Sequence, residues 1–245
     1  MTINEYRQFQ NKLIEVVQPF ILSFMESERE EFIEIIRSTL FDLDIPRHFE
    51  SPPTQRDEVF ASRLFLDFNE IISSYLSLKD IEVYIKRFPY RDTGIPALRY
   101  LKYHIESHLN EIYILKKRLE AYLTFVERRY RKSSISQKVS VTTQKLKKVI
   151  QILLAEIINI RGAHVHSKRF SDADLDRLTF LELLMDSNED IFASYKHGYN
   201  QARKKWAKQI QGSNSAVEKL LDIYCKELSS TLFDEQGQLI FPDTR

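Results

Sequence analysis

The sequence predicts an all-α protein, an elongated helical bundle, and three observations carry that prediction. Among 245 residues there are only 5 Gly and 7 Pro, where average usage would place about 17 and 12. Apolar residues recur at steps of three and four along most of the chain, the period of an amphipathic helix. Apolar residues make up 43% and aromatics 12%, enough for a core, and 29% charged residues at a net charge of +1 argue against wholesale disorder.

The elements follow from these stripes. Tyr6, Phe9, Leu13, Val16, Phe20 and Phe24 form the first, and Pro19 inside it predicts a kink or a restart. Ser27-Glu28-Arg29-Glu30 reads as a capping box before Phe32, Ile35, Ile36 and Leu40. A loop is expected from Ile45 to Pro53, then a helix bearing Ala61, Leu64, Phe65, Phe68, Ile71, Ile72 and Tyr75. The run Phe88 to Pro96 breaks the chain again. The longest stripe follows, Leu98 to Tyr130, a helix of roughly 50 Å. Its length suggests a coiled-coil-like contact or a homodimer interface.

After a polar loop from Lys132 to Thr142, residues 146–160 are apolar on most sides and predict a buried helix. Ser171 to Asp174 should cap a short acidic helix whose first-turn acids suit the helix dipole. Phe192, Tyr195, Tyr199, Ala202, Trp206 and Ile210 form a further stripe, expected to stop at Gly212, with Ser213 capping a last helix to Leu228. Phe233 to Leu239 reads as a turn joining two short strands. The expected organisation is an N-terminal helical region (1–88), a helical core (89–211), and a C-terminal helix and tail (212–245).

Several function classes are disfavoured. Cys225 is the single cysteine, so neither an internal disulfide nor a cysteine zinc site is available. It sits in an apolar run and reads as a small buried hydrophobe. The opening residues lack a basic stretch leading into an apolar one. No window reaches the ~18 apolar residues of a membrane span. The expected compartment is therefore the cytoplasm, without membrane contact. Glycine-rich phosphate loops, nucleophile elbows and His-Glu-x-x-His are absent, and no cofactor is indicated.

Charge is segregated along the chain. Residues 1–48 carry nine acids and five bases, whereas residues 116–148 carry eleven bases and two acids, Glu120 and Glu127. Residues 172–190 hold seven acids against Arg177 alone. A basic helix pair of this kind can attract a polyanion without a basic overall pI. Arg128, Arg129 and Arg131, with Lys168 and Arg169 further on, are the candidate RNA-binding residues. A solvated lysine-rich face is the alternative.

Candidate chemistry centres on Arg161-Gly162-Ala163-His164-Val165-His166. Residues five apart lie about 140° apart on a continuous helix, so Arg161 and His166 converge only if the helix breaks between them. Gly162 is the expected break. The arginine fork matches phosphate geometry, and a histidine titrating near neutrality can act as acid or base. Equally, Arg161 could cap a helix end and His166 be an ordinary loop histidine.

This Arg-x4-His segment, with the long helix before it, resembles the HEPN superfamily (higher eukaryote and prokaryote nucleotide-binding domains) over roughly residues 97–210. Gly162 stands where active members commonly carry a polar residue. The resemblance implies a metal-independent endoribonuclease of a toxin or defence system, acting as a homodimer, with an antitoxin or other defence protein as partner. Arg161 and His166 would be catalytic, with His164 and Glu111 supporting. Arg99 and His104 repeat the spacing inside the long helix, where no break is expected. His104, His108 and Glu111 share a helix face at metal-ligand spacing, but read better as buried polar groups satisfied by neighbours.

Overall fold

The computed structural model describes residues 4–27, 56–87, 94–166, 172–184 and 189–243. Six helices make up nearly all of them: α1 (Glu5–Ser27), α2 (Arg56–Lys86), α3 (Ala97–Arg129), α4 (Ser136–His166), α5 (Ala173–Leu184) and α6 (Glu189–Leu232). The expected all-α class is observed. The predicted capping box at 27–30, the helix after it and the loop at 45–53 lie outside the described residues, apart from Ser27, which ends α1.

Two apolar clusters hold the bundle. The larger joins Tyr6, Phe9 and Leu13 of α1 to Phe60 through Leu78 of α2, Ile112 through Val126 of α3, Leu146, Ile150 and Leu154 of α4, and Val217 through Leu232 of α6. The smaller joins Ile81 and Ile85 of α2, Leu98, Leu101, Ile105 and Leu109 of α3, Leu175 and Leu178 of α5, and Tyr195, Tyr199 and Ala202 of α6. Helices α1 and α2 thus belong to the main core. Tyr195 and Tyr199 are core aromatics, and Cys225 is fully buried.

Several boundaries differ from expectation. Of the kink or restart expected at Pro19, the restart is not seen: α1 is one helix from Glu5 to Ser27. The α3–α4 connection is a short turn at 130–135, not a loop to Thr142, because Val139 already packs in the core. Among the described side chains of α4, Leu146, Ile150 and Leu154 are buried whereas Ile152 is 75% exposed and Leu153 51% exposed, so the apolar run is not buried on all sides there.

Helix α6 continues through Gly212, where an end was expected. A mid-helix glycine costs only about 1 kcal/mol relative to alanine, and the burial of Ile210, Asn214 and Val217 on either side holds the helix. The tail forms a single antiparallel bridge, Phe233 to Leu239, instead of two strands, and Gly237 supplies its left-handed turn residue at φ 80°.

Asp172 caps α5: its Oδ1 accepts from the backbone amides of Asp174 at 3.0 Å and Leu175 at 3.2 Å. The long α3 stripe is covered within one chain. Every apolar residue on it from Leu98 to Val126 that was expected to need a partner lies at 6% exposure or less. Its length therefore gives no reason for a second copy.

Candidate nucleic-acid interface

The basic segment 116–148 forms the end of α3, the turn, and the start of α4. Much of its charge is matched. Lys116 meets Glu120 at 2.6 Å, Arg118 meets Glu70 at 2.6 Å, Lys145 meets Glu227 at 2.7 Å, and Lys147 meets Glu127 at 2.8 Å. Arg128, Arg129 and Arg131 make no ion pair among the described residues, and all three are exposed. With Lys132, Lys138 and Lys148, which also make no ion pair among the described residues, they are the unmatched remainder of the +9 stretch.

These arginines line two open grooves that meet at Arg128. The first, about 730 Å³, lies between α2 and α3, with Arg63, Lys117, Arg128 and Arg129 around Phe125 and the small residues Ala121 and Thr124. The second, about 570 Å³, crosses the α3–α4 turn and is lined by Arg128, Arg131, Ser136, Gln137 and Ser140, with Glu127. Glu127 is occupied by Lys147, and Glu120 lies within 4.0 Å of both Lys116 and Lys117. The acids on this surface are thus neutralised locally and the arginines dominate its field.

The groove floor is aromatic. Phe125 stacks on Phe60 with ring centroids 5.9 Å apart, and the guanidiniums of Arg63 and Arg129 lie 5.0 and 5.5 Å from the Phe125 centroid. Arg63 belongs to a different helix and was not singled out from sequence. Its position one turn beyond the buried Phe60 on α2 is a signal visible only once α2 and α3 are paired.

The Arg161 segment is placed differently from expectation. Helix α4 runs unbroken through Gly162 to His166, so positions 161 and 166 remain about 140° apart around one axis. The side chains of Arg161, His164 and His166 lie outside the described residues, as do Lys168 and Arg169 entirely. Gln137, in the second groove, and Arg161 are 24 residues apart on the same helix, or about 36 Å. The basic grooves and the Arg-His segment therefore occupy opposite ends of α4.

The repeated spacing at Arg99 and His104 also sits on an unbroken helix, α3. His104 is buried among the rings of Tyr84, Tyr100 and Tyr103, its Nδ1 has no hydrogen-bond partner, and burial lowers its pKa. Contrary to expectation, its Nδ1 is not satisfied by a neighbouring helix among the described residues. His108 is: its Nε2 lies 3.2 Å from Asn214 Oδ1. Glu111 is half-buried on α3. No group of three or more histidine, cysteine or acidic side chains poised to hold a metal occurs among the described residues. Nor is any helix among them long and apolar enough to cross a membrane.

Fold and surface together define an all-α helical protein with a basic, aromatic-floored groove at one end. No protein-family model, curated protein or solved structure matches the chain.

Proposed function

We propose that this protein binds single-stranded RNA along the groove that runs from α2–α3 across the α3–α4 turn. The observation that carries the reading is the set of Arg63, Arg128 and Arg129 around the Phe125 floor, continued by Arg131 across the α3–α4 turn, with Glu120 and Glu127 already paired. Charge follows the backbone and an aromatic surface meets the bases, the combination used for unpaired strands. Binding should weaken steeply with salt, because each phosphate contact releases counterions. Reversing Arg128, Arg129 and Arg131 together to Glu should abolish it. Unchanged affinity in an anisotropy titration would reduce the basic face to solvated surface.

Cleavage of the bound strand is the second reading, supported by the resemblance of Arg161 to His166 to the HEPN motif. On an unbroken α4 that reading calls for a homodimer, in which one histidine acts as base and its copy as acid on the 2′-hydroxyl and leaving oxygen. The role would be that of a toxin or defence ribonuclease, restrained by an antitoxin in the toxin case. Its test is RNA cleavage that survives EDTA, leaves a cyclic phosphate, and is lost in Arg161→Ala and His166→Ala. A purified protein that binds RNA and leaves it intact ends the ribonuclease reading and keeps the binding one.

A further inference from the structure

Phe125 is held from behind. Phe60 stacks on it at 24° between ring planes, and Phe60 is itself fixed edge-on by Tyr130 at 5.8 Å and Phe241 at 6.3 Å. The guanidinium carbons of Arg63, from α2, and Arg129, from α3, lie 5.0 and 5.5 Å from the centroid of the same ring. Asp67 anchors the Arg63 Nε at 3.4 Å. The floor between them stays low because positions 121 and 124 are Ala and Thr, and the Thr124 hydroxyl turns back to donate to the Glu120 carbonyl at 2.8 Å. Arg128 and Lys117 stand on the rim.

A purely electrostatic phosphate track needs no such floor. Lysines on a solvated helix would serve, and the aromatic stack would be redundant. Guanidiniums held against an aromatic ring give a cationic, apolar-backed surface that suits the π-face of a base. A base inside a duplex has both faces covered by its neighbours and cannot reach it.

We propose that Arg63, Phe125 and Arg129 form a subsite for a single unpaired nucleobase, with the flanking phosphate taken by Arg128 or Lys117. The inference rests on the single-strand-binding reading above and adds to it that the bases, and not the backbone alone, are held here. Base stacking of this kind is worth roughly tenfold or more in affinity per base. Ribose and deoxyribose strands share this chemistry, so the subsite reads the base and any preference for RNA must come from elsewhere in the groove.

The test uses the full chain and four labelled probes of equal length in anisotropy titrations: oligoadenylate RNA, the same backbone with abasic residues, oligodeoxyadenylate, and a blunt RNA duplex. Wild type should bind both single strands at least about tenfold more tightly than the abasic strand or the duplex. Arg63→Lys, which keeps the charge and removes the guanidinium, and Phe125→Leu, which removes the ring, should each erase most of the difference between oligoadenylate and the abasic strand. Melting curves of both variants show that they are folded. Equal binding of oligoadenylate and the abasic strand, or of oligoadenylate and the duplex, overturns the subsite while the polyanion-binding surface stands. Failure to bind any probe overturns both.

Discussion

Asn214 on α6 donates from Nδ2 to the Glu82 carboxylate on α2 at 3.0 Å, inside the bundle. The same amide donates to the Leu78 carbonyl at 3.0 Å, so its Oδ1 faces His108 on α3 and must accept from the imidazole Nε2–H. Glu82 is closed on its other side by Lys86 at 2.7 Å. The three helices meet through this polar layer where the larger apolar cluster, with Leu78, Ile112 and Val217, gives way to the smaller one, with Ile81, Leu109 and Ile210.

The Asn214 layer sets the first prediction. Asn214→Ala leaves His108 without its acceptor and Glu82 Oε2 without its Asn214 donor, with only the Lys86 bond to Oε1 remaining. Stranding buried polar groups costs about 1–3 kcal/mol each, so urea denaturation should show a loss in that range or above. Asn214→Asp should be worse, because it sets a second carboxylate against Glu82. An alanine variant as stable as wild type would mean that the layer adds nothing to stability.

Acid sensitivity follows from the same groups. Burial pushes the His108 imidazole down to about 4, against the pull of its Asn214 bond and of the Glu82 charge. The unfolded chain therefore binds a proton that the folded one refuses between about pH 6.5 and 4, and stability falls as pH drops through that window. The loss reaches up to about 3 kcal/mol. Burial raises the Glu82 carboxyl, but its bonds to Lys86 and Asn214 outweigh burial and leave it below its ordinary value, adding a further loss at lower pH. His108→Gln should flatten the upper part of the stability profile and leave the lower part. An unchanged profile in that variant would assign the sensitivity to other groups.

Gly212 lies in the interior of α6, exposed, and a Cβ built there meets nothing within 4 Å. Gly212→Ala should therefore stabilise the protein by about 0.5–1 kcal/mol, by restricting the unfolded chain and favouring the helix. A lower melting temperature would argue that the helix is interrupted at this point after all.

Gly198 is the contrasting case on the same helix. A Cβ there would stand 3.0 Å from Leu178 Cδ2 on α5. Gly198→Val should loosen α5 from α6 and cost about 1–3 kcal/mol through overpacking. Leu178→Ala alone should also destabilise, yet the double variant should lose less than the sum of the two. Strict additivity in the double-mutant cycle would show that the two positions are not in contact.

How much of this was legible from sequence depends on the kind of residue. The α3 stripe from Leu98 to Val126 was readable because helical periodicity is local: each residue's face is set by its neighbours three and four away. The Asp172 cap was readable for the same reason. Gly212 was misleading, since a glycine marks a helix end only when no tertiary contact holds the helix beyond it; Gly162 likewise lies inside a continuous α4. Around Gly212, Asn214 and Val217 supply that hold. The α3 stripe by itself does not call for the expected homodimer, because one chain already covers it from Leu98 to Val126.

The candidate interface divides in the same way. The +9 charge of residues 116–148 is written in the sequence, and so are Arg128, Arg129 and Arg131 as candidates. Which cations stay unmatched was not, because Glu70, Glu227 and Glu127 neutralise Arg118, Lys145 and Lys147, two of them from residues 48 and 82 positions away. Arg63 joined the groove only when α2 packed beside α3. Local propensity and spacing determined that this chain is a bundle of long amphipathic helices with a basic segment. Tertiary packing decided where those helices end, which charges cancel, and that a phenylalanine backed by Phe60 floors the remaining ones, since these depend on contacts between residues far apart in the chain.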